Sequence, residues 1–129
     1  MNLLPYESFC EVQLGESQDD VVRRFGEPIS RQLNRLRELE LQYEAMVVRF
    51  GTQGVVEITA RPETVMLEGE SISRHSLASY LQTRDPDAKL VQGFVVSPKY
   101  GVAVDDDSEN DGWISVFVRG HWNNAIQET

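Results

Sequence analysis

Apolar residues spaced three and four positions apart predict a short helix near the start of the chain. Val21 and Phe25 lie on one side of it, and Ser17 stands where an N-cap is expected, because its hydroxyl can accept from the amide three residues on. Gly26 can take the left-handed conformation after the last turn, and Pro28 cannot continue a helix. The pattern therefore predicts a helix of about two turns that must be stabilised by docking.

From Glu38 the apolar spacing changes to two, which is the period of a β-strand with one buried face. The apolar side of the first such strand is made of Leu39, Leu41 and Tyr43. The other side is expected to be wet and acidic, and it is made of Glu38, Glu40, Gln42 and Glu44. Further strands are predicted over 46–50, 56–60 and 64–67, with a glycine turn at 51–54. The segment 38–67 is therefore predicted to be a meander.

A second helix is predicted to begin at Ser73. Leu77 and Leu81 stand four and eight residues after it, the same spacing that separates the apolar residues of the first helix from Ser17. Asp85 and the proline after it end the helical pattern. β-rich segments then follow at 90–97, 101–105 and 113–119.

The order of helix and then strands thus occurs twice, and it predicts an α+β fold. We expect two helix-plus-antiparallel-meander repeats, at about 8–69 and 70–122, that form one sheet with both helices on one face. Each half would bury too little surface to be stable alone. The repeats are therefore expected to make a single domain over 1–129, with 123–129 as a loose tail.

The segment 29–37 is harder to assign and contains a local basic cluster. Leu33 and Leu36 have helical spacing, so a second short helix or a long loop running into a strand would both fit. The cluster consists of Arg31, Arg35 and Arg37. In an acidic chain such arginines usually pair with their own acidic neighbours, and a binding role is the alternative.

The net charge of −9 changes the picture of possible partners. An acidic chain repels phosphate, so neither nucleic acid nor an anionic membrane is expected to bind, whereas a basic protein surface is a natural partner. Solubility alone is the alternative explanation of the charge. Cys10 is the single cysteine and suits a reducing compartment as a small buried hydrophobe. Residues 1–10 contain no basic leader, so a cytoplasmic location is expected.

An acidic segment at 105–112 is the most conspicuous candidate site. Its carboxylates are Asp105, Asp106, Asp107, Glu109 and Asp111. An EF-hand is excluded, because the twelfth position counted from Asp107 is Val118 where a glutamate is needed. Three interpretations stay open: a solvated hairpin loop, a weak cation site, and an acidic prong that docks into a basic cleft and speeds association by steering.

The strand after this segment has two different faces. Ile114, Val116 and Val118 make one apolar face. If that face meets the helices, Trp113, Phe117 and Arg119 lie on the open side of the sheet, with Trp122 following. Trp, Phe and Arg are enriched at binding hot spots. The alternative is that these aromatics fill the concavity of the sheet or lie under the N-terminal segment.

No reaction is indicated by the remaining polar residues. His75 and His121 have no metal-ligand companions at a recognisable spacing, and the serines at the helix starts have cap roles. We therefore expect no catalytic site, no cofactor and no metal.

The spacing of Gly15, Ser17, Val21, Gly26 and Pro28 resembles the opening motif of the SmpA/OmlA (BamE-like) proteins, G-x-[ST]-x-x-x-V-x-x-x-x-G-x-P, and the likeness extends over about 14–60. The beta-lactamase inhibitory protein (BLIP) is built from two repeats of related architecture. The resemblance implies helices packed on an antiparallel sheet whose open concave face binds another protein. This chain lacks the lipoprotein cleavage site of the BamE-like proteins.

These observations together predict a non-enzymatic protein-binding module. The most concrete form is an acidic inhibitor or immunity protein whose acidic segment and open sheet face occlude a basic partner, such as a cognate toxin. One alternative is a small-ligand-binding or minor enzymatic domain that uses the concave sheet face. Another is an envelope assembly accessory protein, against which the missing lipoprotein site argues.

Overall fold

The structure is a computed structural model that describes residues 1–35, 37–105 and 112–121. The helices are α1 (Gln18–Phe25) and α2 (Arg74–Arg84). The strands are β1 (Leu3–Leu4), β2 (Ser8–Phe9), β3 (Val12–Gln13), β4 (Ser30–Leu33), β5 (Leu39–Gln42), β6 (Met46–Gly51), β7 (Gly54–Ala60), β8 (Thr64–Leu67), β9 (Glu70–Ser73), β10 (Lys89–Val91), β11 (Phe94–Ser97), β12 (Val102–Asp105) and β13 (Ile114–Phe117). The predicted loose tail lies outside the described residues.

The start and end of α1 confirm the predicted caps. Ser17 Oγ accepts from the Asp20 amide at 3.1 Å, which satisfies one of the free donors of the first turn. Gly26, with φ +84°, donates its amide to the Val22 carbonyl at 2.8 Å and ends the helix. Val21 is fully buried, so the helix is stabilised by docking on the core.

The second helix also begins and ends as predicted. Ser73 Oγ accepts from the His75 amide at 3.2 Å, and the last helical residue precedes Asp85. The Asp85 side chain is buried and accepts three hydrogen bonds, from Ser97 Oγ at 2.6 Å and from the amides of Asp87 at 2.9 Å and Lys99 at 3.0 Å. Burial alone would raise the pKa of Asp85, but these bonds outweigh it and hold the pKa below the usual range.

The α+β class is confirmed, and eight of the described strands form one antiparallel sheet in the order β10-β11-β12-β13-β7-β6-β5-β4. Each helix precedes a four-stranded meander of this sheet, and the last strands of the two meanders pair through Val116 and Ile58. The expectation of a single sheet is wrong. Strand β8 was predicted to be part of the first meander, but it forms a separate hairpin with β9. Strands β1, β2 and β3 form a third, small sheet.

The segment that sequence reasoning assigned to a helix or a loop contains strand β4. It pairs with β5 through Ser30 with Gln42 and Arg31 with Leu41. Leu33 is 67% exposed and therefore does not belong to the buried face of a helix. Pairing with β5 satisfies the backbone hydrogen-bonding groups of this segment, whereas an isolated helix of the same length would be only marginally stable.

The main core lies between the sheet and both helices. Val21 of α1 and Leu77 and Leu81 of α2 belong to the same apolar cluster, which confirms that both helices cover one face. We call this the helix face. The sheet contributes its inward-pointing residues, among them Leu41, Val48, Ile58, Val95, Val102 and Val116. A smaller cluster, made of Val91, Val96, Ala103 and Phe117 with Tyr6 and Phe94 against it, lies on the opposite face, which we call the outer face.

The N-terminal segment forms the small sheet of β1, β2 and β3 and contributes to the main core. Leu3, Phe9 and Val12 are fully buried in the main core. Cys10 lies at a turn between β2 and β3, with φ +54°. It is buried as expected, and burial raises the pKa of its thiol to about 11, which makes it a poor nucleophile near neutral pH.

Candidate functional site: a polar cleft on the outer face

A row of charged side chains crosses the outer face of three adjacent strands. Glu40, Arg49 and Glu57 are direct cross-strand neighbours on β5, β6 and β7. Arg49 Nε donates to Glu40 Oε2, and Arg49 Nη1 lies 3.2 Å from Glu57 Oε1. The two glutamates are only 7% and 6% exposed. The expectation of a wet acidic face on β5 is therefore wrong at Glu40, because the arginine on the next strand allows that carboxylate to be buried.

Hydroxyl groups extend this row toward β13. Arg49 Nη1 donates to Thr59 Oγ1 at 3.0 Å, and Thr59 Oγ1 shares a hydrogen bond of 2.8 Å with Ser115 Oγ. Each of these contacts joins side chains on neighbouring strands of the same face. The network therefore ties the two meanders together through polar as well as apolar contacts.

The ends of the row shift two pKa values. His121 Nε2 lies 2.8 Å from Glu57 Oε2, and this hydrogen bond raises the pKa of His121 against the opposing effect of burial. Burial pushes the pKa of Glu40 upward, but hydrogen bonds from Gln32 and Arg49, with the Arg49 charge, bring it below its usual value. Glu40 therefore stays ionised at neutral pH despite being buried.

A cleft of about 400 Å³ opens beside this network. It is lined by Arg49, Glu57, Thr59, Phe94, Asp105, Trp113 and Ser115. The Asp105 amide donates to the Trp113 carbonyl at 2.9 Å, which places the end of β12 and the start of β13 side by side at the cleft. The Arg61 guanidinium lies 5.9 Å from the centre of the Trp113 ring and supports it from outside the cleft.

The structure brings together two of the residues that the sequence predicted for partner binding. Asp105 and Trp113 both line the cleft, and both are half-buried. The other predicted residues Asp106, Asp107, Glu109, Asp111 and Trp122 lie outside the described residues. The acidic-prong and cation-site interpretations of 105–112 therefore stay predictions.

Phe117 is not on an open surface, and that expectation is wrong. It is 2% exposed because Tyr6 of the N-terminal segment covers it, with the two rings edge to face and 6.3 Å apart. Tyr6 donates its hydroxyl to the Pro98 carbonyl, and Arg119, which is exposed, places its guanidinium 4.0 Å from the Tyr6 ring centre. The alternative that the N-terminal segment lies over this aromatic is the one that the structure supports.

Gly101 allows this arrangement. It has φ +67°, and a Cβ built on it would lie 2.8 Å from Tyr6 Cε1. A side chain at this position would therefore be strained by its backbone and would also push Tyr6 away from Phe117.

No protein-family model, curated protein or solved structure matches this chain. The likeness to the BamE-like and BLIP proteins therefore stays a prediction. In the described ranges, no group of three His, Cys, Asp or Glu side chains is placed to hold a metal ion. Neither α1 nor α2 is long and apolar enough to cross a membrane, and the described chain contains no other helix.

Sequence reasoning missed Arg49, Glu57 and Thr59 as members of the site. A signal was present, because both charged residues alternate with apolar neighbours on adjacent predicted strands. The pairing of Arg49 with Glu57 could not be predicted by counting residues outward from the turn at 51–54. Phe50 pairs with Val55, but Arg49 pairs with Glu57, so a bulge shifts the register by one residue between them.

Proposed function

We propose that this protein is a non-enzymatic binding module, and most concretely an acidic inhibitor or immunity protein that receives a basic protein on the polar cleft of the outer face. The observation that carries the proposal is the position of Asp105 and Trp113. Asp105 begins the acidic segment and Trp113 follows it in sequence, and both residues line the cleft. Partner contacts made by the segment and by the cleft would then be continuous.

The charges of the cleft favour a cationic side chain from the partner. Glu40 and Glu57 are already engaged with Arg49, and their two carboxylates outnumber its single positive charge. Asp105 adds a further carboxylate at the rim, and the face of Trp113 offers a surface on which a guanidinium or ammonium group can stack. A lysine or arginine of the partner is therefore the group that we place between Asp105 and Trp113.

The whole-chain charge supports the same conclusion. With a net charge of −9, the protein attracts a basic partner over a distance of about a Debye length, near 10 Å at moderate salt. Four more carboxylates lie in sequence between Asp105 and Gly112. This charge would speed association, whereas the aromatic and buried contacts would set the dissociation rate.

The two-repeat organisation is part of this proposal. Two helices that each precede a four-stranded meander support it, as does the pairing of the last strands of the two meanders. A tandem arrangement of this kind is what the resemblance to BLIP implies, with the open sheet face as the binding surface.

A small ligand in the same cleft is the second candidate. The cleft of about 400 Å³ falls in the size range of small-molecule sites, roughly 300–1,000 Å³, and Thr59 and Ser115 contribute hydroxyl groups to its lining. Such a ligand would also be cationic, because Asp105 and Trp113 line the site.

The proposal is tested by capturing partners from native extract at low salt, and then measuring association with the captured protein as salt is raised. We expect one stoichiometric basic partner whose activity the protein inhibits, with an association rate that falls steeply with ionic strength. The Asp105→Asn and Trp113→Ala variants should weaken binding by about tenfold or more each.

A matched control separates local from global charge. Neutralising Asp106, Asp107 and Asp111 to asparagine should slow association more than neutralising three carboxylates elsewhere, Glu7, Glu44 and Asp87. Equal effects of the two triple variants would mean that net charge alone matters. Unchanged affinity of both cleft variants would exclude the cleft as the binding surface.

A further inference from the structure

Strand β4 ends the main sheet at the side opposite β10, and its only strand neighbour in the described chain is β5. The Asn34 amide donates to the Glu38 carbonyl at 3.0 Å, and Gln32 faces Glu40 in the same register. In an antiparallel pair, hydrogen-bonded positions alternate, so the even-numbered residues of β4 bond to β5. The backbone amides and carbonyls of Arg31 and Leu33 therefore point outward from the sheet.

The side chains around this edge are unusual for a free surface. Ile29 is 75% exposed and Leu33 is 67% exposed, which makes them the two most exposed large apolar residues in the described ranges. Leu33 lies on the helix face of the edge, as Arg31 does, and Ile29 directly precedes the strand. An edge strand with exposed apolar side chains is a template for pairing with another strand, and proteins usually protect such edges.

The charge of this edge is opposite to that of the chain. Residues 27–38 contain the three arginines of the basic cluster and two glutamates, in a protein of net charge −9. Arg31, Arg35 and Arg37 are all exposed. Arg31 contacts Glu27 at 2.9 Å, but this pair is on the surface, with the two side chains 44% and 73% exposed, and it is readily replaced by a competing carboxylate.

A second copy of the chain fits this edge poorly. Two β4 edges side by side would bring two sets of the same arginines together. The other end of the sheet, β10, presents exposed Lys89 and Leu90, so an end-to-end contact would also place like charges at the join. The complementary occupant is a strand in which acidic and apolar residues take turns along one face, at every second position.

We propose that β4 is a docking edge for an extended acidic segment of another protein, which adds to the sheet as a ninth strand. Its backbone would bond to the outward groups of Arg31 and Leu33. On its helix-face side, apolar side chains would cover Leu33 and Ile29, and a carboxylate between them would contact Arg31. Acidic residues beyond Leu33 would reach Arg35 and Arg37. This surface is distinct from the polar cleft and does not depend on the function proposed for the cleft.

The test is a titration of the whole chain with a short synthetic peptide in which glutamate and valine take turns along one face, with threonine between them, followed by amide NMR and hydrogen exchange. We expect shifts confined to 29–34, together with exchange of the Arg31 and Leu33 amides slowed about tenfold or more. The same peptide with lysine in place of glutamate should give neither effect.

Two variants make the result specific. Leu33→Pro removes an outward amide while leaving the bonds to β5, since proline is tolerated at an edge, and it should abolish peptide binding with the rest of the spectrum unchanged. Arg35→Gln combined with Arg37→Gln should weaken binding several-fold. Equal binding of the lysine peptide, binding that survives Leu33→Pro, or a homodimer whose β4 amides become protected without peptide would each overturn the proposal.

Discussion

His121 Nε2 lies 2.8 Å from one carboxylate oxygen of Glu57, while the other oxygen faces the guanidinium of Arg49. Each oxygen of this buried carboxylate thus has its own cationic or protonatable partner. The outer face therefore contains a histidine whose pKa is raised by its hydrogen bond to Glu57, a residue that lines the candidate cleft.

We expect NMR titration to give a His121 pKa above its ordinary value of about 6.5, because the hydrogen bond to Glu57 favours the protonated ring. The Glu57→Gln variant should bring the pKa down. A His75→Gln variant assigns the two imidazole signals. A His121 pKa at or below the ordinary value would show that the contact does not persist in solution.

The same contact has a defined effect on stability. Because the folded pKa is raised, the contribution of His121 is fully present below the unfolded pKa of about 6.5 and is lost as the pH rises through the folded pKa. The difference in unfolding free energy between the wild type and His121→Gln should therefore be about 1 kcal/mol larger at pH 5.5 than at pH 9. Urea denaturation at the two pH values measures it.

Replacing Arg49 with methionine should destabilise the protein by about 3–5 kcal/mol, since it leaves Glu40 and Glu57 buried without their cation. Adding Glu40→Gln and Glu57→Gln to Arg49→Met should recover most of this loss, because no charge is then stranded. Chemical denaturation of the single and triple variants measures the two unfolding free energies. A triple variant as unstable as the single one would assign the loss to packing rather than to charge.

Asp85→Ala should lower the unfolding free energy by about 2–4 kcal/mol, because Ser97 Oγ and two backbone amides lose their acceptor. The depressed pKa means that this contribution is present above the unfolded pKa of about 3.9 and is lost as the pH falls through the folded pKa. The wild type should therefore lose stability in acid more steeply than the variant. Asp87→Asn, at an exposed neighbour, is the control and should have little effect.

Tyr6→Ala should expose Phe117 and the small outer cluster, and it should raise the binding of an apolar dye. Tyr6→Phe keeps the ring and loses only the bond to the Pro98 carbonyl, so we expect a loss of about 1 kcal/mol and no added dye binding. If Tyr6→Ala also strengthened binding to a basic partner, Phe117 would have a role that the N-terminal segment masks.

The local features of the fold were predictable because they depend on neighbouring residues. Both helices begin at their predicted serines, and Leu77 and Leu81 are buried as their spacing indicated. The separate β8–β9 hairpin was not predictable. Alternation shows only that Thr64–Leu67 is a strand, and tertiary packing decides which strand it pairs with.

The candidate site was predictable only in part for a related reason. Asp105 and Trp113 stood out by residue type, and hairpin geometry brings them together. The burial of Glu40 depends on an arginine in another strand, and the Arg49–Glu57 pair depends on a bulge. Phe117 is covered by Tyr6, a residue distant in sequence, and alternation along one strand carries no information about such a neighbour.

The strand order of the main sheet also affects how the protein folds during its synthesis. Every neighbouring pair in the main sheet is a hairpin between successive strands except β7 with β13, whose contact between Thr59 and Ser115 spans 56 positions. During synthesis on the ribosome, the edge of β7 that pairs with β13 stays unpaired until β13 has emerged. We expect nascent chains truncated before 113 to aggregate or to engage chaperones through that edge, while the full-length chain escapes both.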